Sequence, residues 1–285
     1  MTGPGTSDRP AGATLPAAVR TCRFLMCRPD HFDVTYSINP WMDPSTPTDR
    51  AVAVRQWEDV RATYERLGHT VSLVDPAPGL PDMVFTANAG FAIGDTVLLS
   101  RFRHAERHDE TPLAHQWFAD NGFRDIQTAE ASFEGEGDAV LIGDTIIAAV
   151  GPRTDREAHE QLADVFGLPV VTLELADPRW YHLDTAFAAV TNDLVAWYPR
   201  AFTPDSQRQV MAMFPNHLVA SEHDANEFGV NLVSDGSHVL VAAQATRLIG
   251  QLEAHGLAVH PVDVSEFKRS GGGIKCITLA LHDVR

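Results

Sequence analysis

The chain is short of cysteine, short of basic residues and free of long apolar runs, and each shortage removes a class of protein. Three cysteines in 285 residues, an odd number, cannot make a disulfide framework, so a reducing cytoplasm is the expected setting. Cys22 and Cys27 are not followed by a second pair at ligand spacing, which argues against zinc, and no metal or organic cofactor is expected. No apolar stretch reaches the roughly 18 residues that a membrane helix needs. The first twenty residues, MTGPGTSDRPAGATLPAAVR, lack the basic and apolar regions of a signal peptide and read as a disordered tail. With 22 Lys and Arg against 38 Asp and Glu, the formal net charge is −16. There is no basic stripe to neutralise phosphates, so neither nucleic acid nor an anionic membrane is an expected partner. An acidic protein instead favours a cationic ligand.

What the chain does have is 44% hydrophobic residues, arranged as paired apolar stretches around turn dipeptides. AGFAIGDTVLLSRF turns at Gly94-Asp95, DAVLIGDTIIAAV at Gly143-Asp144, TAFAAVTNDLVAWY at Asn192-Asp193 and FGVNLVSDGSHVLVAA at Asp235-Gly236. Each predicts a β-hairpin with a two-residue link that tolerates positive φ. The first three turns are 49 residues apart and the fourth follows 43 later, the signature of a repeated supersecondary unit. Between hairpins lie helical patterns: TDRAVAVRQWEDVRATYERLG, with a Thr/Asp cap and a terminal glycine, and TDREAHEQLADVFG, ending on Gly167. A short apolar strand follows each, in HTVSLVDP and LPVVTLEL. The unit reads strand, strand, helix, strand, and residues 21–285 hold about five of them. Five units could close into a ring in which the N-terminal strand CRFLMCRP completes the last one, removing exposed sheet edges. The expected architecture is one α/β domain over 21–285.

Polar residues recur where each hairpin begins: Asp82 and Asn88 in PDMVFTANAG, Glu134, Glu136 and Asp138 in FEGEGDAV, His182 and Asp184 in YHLDTAF, Asn226 and Asn231 in NEFGVN, and Cys276 in SGGGIKCIT. A polar residue before a buried strand is costly unless it is used. A thiol, a histidine and several carboxylates support one chemistry. The thiolate attacks an electrophilic carbon, the histidine moves a proton to a leaving nitrogen, and the carboxylates hold a cation. Lys275 and a cationic substrate would both favour the thiolate. Guanidinium suits such a site, because it stays charged and pairs with carboxylates in bidentate geometry.

The order PD…FTAN, FEGEGD, HLDTAF and GGGIKCIT resembles the pentein superfamily of guanidino-group-modifying enzymes. This superfamily includes arginine deiminases, dimethylargininases, amidinotransferases and arginine dihydrolases. The resemblance implies a five-bladed α/β propeller of ββαβ units with pseudo-fivefold symmetry. It implies Cys276 as nucleophile, His182 as general acid/base and Glu134 as the acid that orients the histidine, with Glu136 in competition for that place. Asp82, Phe85, Asn88, Asp138, Asp184 and Asn39 (in TYSINPWMD) are the implied substrate contacts, with Glu136 among them. Arg107 and Arg153 match arginines that grip a substrate α-carboxylate. Arginine deiminases and dimethylargininases carry aspartate where this chain has Asn88, whereas arginine dihydrolases carry asparagine. An amide offers a donor as well as an acceptor, so it suits a ureido oxygen as well as a guanidinium. The implied partner is a small arginine-like molecule. The implied activity is hydrolysis at the guanidino carbon to ornithine or citrulline. Alternatives are a dimethylargininase and a non-catalytic propeller that binds a partner, and a homo-oligomer is left open.

Overall fold

The structure is a computed structural model that describes residues 21–283. The tail expected over 1–20 lies outside the described residues. The fold is mixed α/β, and one ββαβ unit recurs along it. The chain begins with β1 (Arg23–Cys27), α1 (Arg50–Arg66) and β2 (Thr70–Val74). Asp49 caps α1 by accepting from the Val52 amide, and the helix stops before Gly68, whose φ is 87°. Ala53, Trp57, Val60 and Tyr64 recur at three- and four-residue spacing and form its buried face.

The next unit is β3 (Gly90–Ile93), β4 (Thr96–Leu99), α2 (Glu110–Asp120) and β5 (Asp125–Thr128). It is followed by β6 (Ala139–Ile142), β7 (Thr145–Val150), α3 (Glu157–Phe166) and β8 (Val170–Glu174). Then come β9 (Phe187–Ala189), β10 (Leu194–Trp197), α4 (Pro204–Met213) and β11 (Asn216–Val219). After the short α5 (Glu222–Asn226) come β12 (Val233–Ser234), β13 (His238–Ala242), α6 (Thr246–Ala254) and β14 (Ala258–Val262). In each unit the first two strands pair antiparallel and the third returns parallel to the second. The short α7 (Ser265–Lys268) leads to β15 (Leu279–His282), which pairs antiparallel with β1, while β1 runs parallel to β2. The last strand thus supplies what the first unit lacks. β15 also pairs parallel with β3 through Leu281↔Ala92 and His282↔Ile93.

Two of the four expected two-residue turns form as written. Ile93 pairs with Thr96 across Gly94 (φ 65°), and Ile142 pairs with Thr145 across Gly143 (φ 57°). The other two loops are longer. Val190 and Thr191 both donate to the Leu194 carbonyl, and neither Asn192 nor Asp193 takes a positive φ. Asp235 donates its amide to the His238 carbonyl around Gly236 (φ 92°), a four-residue link. In both, a side chain satisfies the turn: the Thr191 hydroxyl accepts from Leu194 N, and Asp235 Oδ1 accepts from Ser237 and His238.

Short 3₁₀ turns precede the first strands of three units: Pro81–Val84 and Thr86–Ala89 before β3, Gly135–Gly137 before β6, and Leu183–Thr185 before β9. These turns pack on one another. They bring together polar side chains from segments far apart in sequence. No helix among the described residues is long and apolar enough to cross a membrane.

Candidate active site

Cys276 sits in the turn before β15, buried to 2% exposure. Its amide donates to Asn231 Oδ1 at 3.1 Å, and Asn231 Nδ2 donates back to Sγ at 3.1 Å. The thiol in turn donates to Asp184 Oδ2 at 3.3 Å. Burial and the neighbouring Asp184 charge push the thiol well above its ordinary range. Burial also raises the Asp184 acid to about 7, against the pull of Lys275. The resting pair therefore carries a protonated sulfur at neutral pH. The expectation that Lys275 favours the thiolate is not met: its Nζ is held by Glu136 Oε2 at 2.5 Å and the Thr278 carbonyl at 3.0 Å. Removing the thiol proton thus falls to an incoming cation or a base.

His182, 1% exposed, faces Glu134 through Nε2 at 2.8 Å. Glu134 is fully buried; Arg153 Nη1 donates to the same oxygen, Oε2, at 2.7 Å, and the Arg103 amide reaches Oε1 at 3.2 Å. Burial alone would raise this acid, but Arg153 and His182 outweigh it and hold it far below the usual carboxylate range. The choice between Glu134 and Glu136 as partner of the histidine is settled by distance in favour of Glu134. Glu136 turns the other way and binds Lys275, the Ala280 amide and His282. Asp138 accepts from Thr154 Oγ1 at 2.7 Å and the Leu183 amide at 3.1 Å, and its acid is pushed up to about 6, chiefly by burial. Glu136 and Asp138, expected to contact substrate, therefore brace the turns around it.

A small cavity of ≈ 10 Å³ brings together Asn39, Asp82, Phe85, Asn88, Arg107, Arg153 and Cys276, with Ile38, Tyr181 and Ser270. Both arginines are occupied. Arg107 makes a bidentate pair with Glu110 at 2.8 Å and 2.8 Å, donates to Asn88 Oδ1 at 2.8 Å, and reaches the Asp82 carbonyl at 3.2 Å. Arg153 stacks over Tyr181 and donates to the Ile38 carbonyl at 2.8 Å. Asn88 Nδ2 donates to the Glu134 carbonyl at 3.2 Å, so both ends of its amide are fixed. Asp82 accepts from Tyr36 Oη at 2.8 Å and Ser270 Oγ at 3.2 Å, and Asn39 donates to the Ser270 carbonyl. Segment 36–39 and the glycine loop thus close over the cavity. Room for about one water cannot hold an arginine side chain, so admission requires this cover to move.

The glycines of the SGGGIKC segment are demanded by these walls. A Cβ on Gly272 would lie 2.3 Å from the Phe85 ring, and one on Gly273 would lie 2.8 Å from Asn231 Oδ1. Several residues of the site escaped sequence reasoning. Asn231 was visible as a polar entry residue but had no role assigned, whereas its neighbour Asn226 ends α5 and makes no contact to Cys276. Glu110, Tyr36, Tyr181 and Ser270 were missed. The signals were present in an acid three residues after Arg107, a tyrosine three before Asn39, a tyrosine adjoining His182 and a serine opening the glycine run.

The model of the family described as N,N dimethylarginine dimethylhydrolase, eukaryotic, matches residues 33–283. The chain belongs to this family. It is similar to the N(G),N(G)-dimethylarginine dimethylaminohydrolase of Mycobacterium tuberculosis, 46% identical over 92% of this chain and 87% of that protein. It is also 40% identical to the bifunctional arginine dihydrolase/ornithine cyclodeaminase AgrE of Nostoc, over 92% of this chain but 38% of that longer protein. Among solved structures, the N-terminal domain of ArgZ, covalently bound to a reaction intermediate, superposes with a TM-score of 0.88 at 37% identity, covering 92% of this chain and 98% of that domain. Its full-length source is the bifunctional protein of Synechocystis. Members of this family and their structural relatives thus act on guanidino carbon–nitrogen bonds.

Proposed function

We propose that this chain is a cysteine hydrolase of the arginine dihydrolase type, a five-bladed α/β propeller forming one catalytic domain over 21–285. The five repeats of the ββαβ unit and the pairing of β15 with β1 support the propeller. The observation that carries the activity is a pair of buried contacts, Cys276 to Asp184 and His182 to Glu134, tied to one cavity that Cys276, Asn88 and Asp82 line and that Arg153, bound to Glu134, also lines. A guanidinium entering between Asp184 and Asp82 brings a cation into direct contact with both acids. It favours ionisation of Cys276, whose proton passes to the His182 ring before attack. The sulfur bonds to the guanidino carbon, and one nitrogen takes a proton from His182 and departs as ammonia. Glu134 occupies Nε2, so Nδ1 is the nitrogen left for this transfer. Water, deprotonated by the same ring, then attacks the thiouronium carbon; the carbon–sulfur bond breaks and the ureido compound is left.

Asn88 is the basis for extending the reaction past that point. One N–H of its amide is held by the Glu134 carbonyl, and the other can donate to the ureido oxygen, which a carboxylate cannot. A second attack on the ureido carbon releases the second ammonia, and hydrolysis leaves a carbamate that loses carbon dioxide to give ornithine. Every step above uses only side chains of this chain and water. Three cysteines, too few and odd in number for a disulfide framework, support a cytoplasmic setting. A second reading, dimethylargininase, is favoured by the name of the 46% identical relative. It would need space for two methyl groups beside Asn88. The test is product analysis with arginine, dimethylarginine, agmatine and succinylarginine. Ornithine with two ammonias from arginine supports the dihydrolase; citrulline with one ammonia or dimethylamine from dimethylarginine replaces it.

A further inference from the structure

FEGEGD carries one more acid than orienting His182 requires, and the second acid points away from the cavity that holds Asn88 and Arg107. Glu136 is 2% exposed and fully committed. Oε2 accepts from Lys275 Nζ at 2.5 Å and from the Ala280 amide at 2.7 Å, while Oε1 faces His282 Nε2 at 2.8 Å. All three partners lie on the eight-residue segment 275–282, which starts beside Cys276 and ends with β15. Glu136 itself follows the turn that carries Glu134, and β6 begins three residues later. One carboxylate therefore ties the nucleophile's turn to the turn holding the partner of the histidine. Lys275 gains a second tie through the Thr278 carbonyl, and Thr278 Oγ1 donates to the Ile274 carbonyl. Asn231 holds Cys276 from the other side.

We propose that Glu136 is a positioning residue for catalysis: through Lys275, Ala280 and His282 it fixes the Cys276 turn and keeps one compensated positive charge near Asp184. The inference rests on the reading of Cys276 as the nucleophile of a guanidine hydrolase. Its geometry has a consequence that simple bracing lacks. Losing the acid leaves Lys275 uncompensated, which favours the thiolate. Losing the lysine leaves Glu136 uncompensated, which opposes it. The groups that face this centre are Asp184, Asn231, the Gly273 backbone and Tyr181 around the sulfur, Lys275 and Glu136 around Asp184, and His282 and Lys275 around Glu136.

The experiment compares Glu136→Gln, Lys275→Met, Lys275→Arg and the double Glu136→Gln/Lys275→Met in the full chain. It measures kcat and KM on L-arginine, the pH dependence of Cys276 alkylation by iodoacetamide, and thermal unfolding. Glu136→Gln and Lys275→Met are each expected to lower kcat ~10²-fold, the order expected for a misplaced reacting group, with KM changed less than about twofold. Alkylation should shift to lower pH in Glu136→Gln and to higher pH in Lys275→Met. The double variant should be no worse than either single one, and Lys275→Arg should restore most of kcat. Additive losses, alkylation shifts of the same sign, or a raised KM with unchanged kcat would overturn the proposal. Should Glu136→Gln fail to fold, Lys275→Met decides: unchanged kcat and alkylation would end it. Alkylation needs no substrate, so an enzyme inactive on arginine but showing the opposed shifts would reject the substrate and retain the positioning role.

Discussion

Glu134 and Glu136 are two residues apart, both buried, and serve opposite sides of the same turn. Glu134 faces Arg153 and His182 beside a cavity of ≈ 10 Å³ lined by Asn88, Arg107 and Cys276. Glu136 faces Lys275 and His282 at a second cavity of ≈ 320 Å³, whose walls include Val140, Phe187, Leu232 and Leu281. The first side is small and crowded with charge; the second is wide and mostly apolar. The Cys276–Asp184 contact lies where they meet, since Cys276 lines the small cavity and Asp184 the large one. An acid's role in this chain is thus set by which cation reaches it, because the chain reverses through the 3₁₀ turn at Gly135 (φ 60°) and sends two acids two residues apart to opposite sides.

The comparison can be broken most severely at the sulfur. Cys276→Ser should lower arginine turnover by at least about 10⁴-fold, the scale for loss of a covalent nucleophile, while the unfolding midpoint stays near that of the parent. Glu134→Gln comes next and separates the two acids. It strands the buried Arg153 charge, so a loss of roughly 3–5 kcal/mol in stability is expected, measured by denaturant unfolding. It also removes the partner of His182, and kcat should fall by about 10²–10⁴-fold. Asn88→Asp is expected to leave the first ammonia release within about tenfold and suppress the second, because the ureido oxygen loses its donor. Counting ammonia per arginine consumed checks this.

The smallest effect concerns pH. Asp184 and Asp138 titrate near 7 and 6 in the fold, against about 3.9 unfolded. Raised acids contribute stability fully present below about pH 4 and lost as pH rises through 6 to 7. Glu134 has the opposite sign: its contribution holds above its unfolded value and is lost only in acid. The unfolding midpoint should therefore decline between about pH 4 and 7, and Asp184→Asn should flatten that decline in thermal melts.

The repeat was legible in the sequence because Gly94 and Gly143 mark two-residue turns and Gly68 and Gly167 stop helices where only their backbone fits. The loops at Asn192 and Asp235 were misjudged because side-chain hydrogen bonds from Thr191 and Asp235 replaced positive φ, and a dipeptide does not reveal such bonds. Within the site, Cys276, His182 and Glu134 stood out through residue types that carry chemistry and through the family resemblance, and the structure brings Glu134 to 2.8 Å from the His182 ring. Glu136 and Asp138 were placed on the substrate because sequence distance says nothing about which way a turn presents a side chain. Their partners, Lys275 and Thr154, lie 139 and 16 residues away. Arg107 was expected to grip a substrate α-carboxylate, yet Glu110 and Asn88 already share its guanidinium.

The most direct test is intact-protein mass spectrometry of the enzyme quenched during turnover of L-arginine, followed by peptide mapping. The account predicts an adduct on Cys276 with the mass of arginine less one ammonia, absent from Cys276→Ser. Turnover by Cys276→Ser at the parent rate, or an adduct mapped to Cys22 or Cys27, would contradict it.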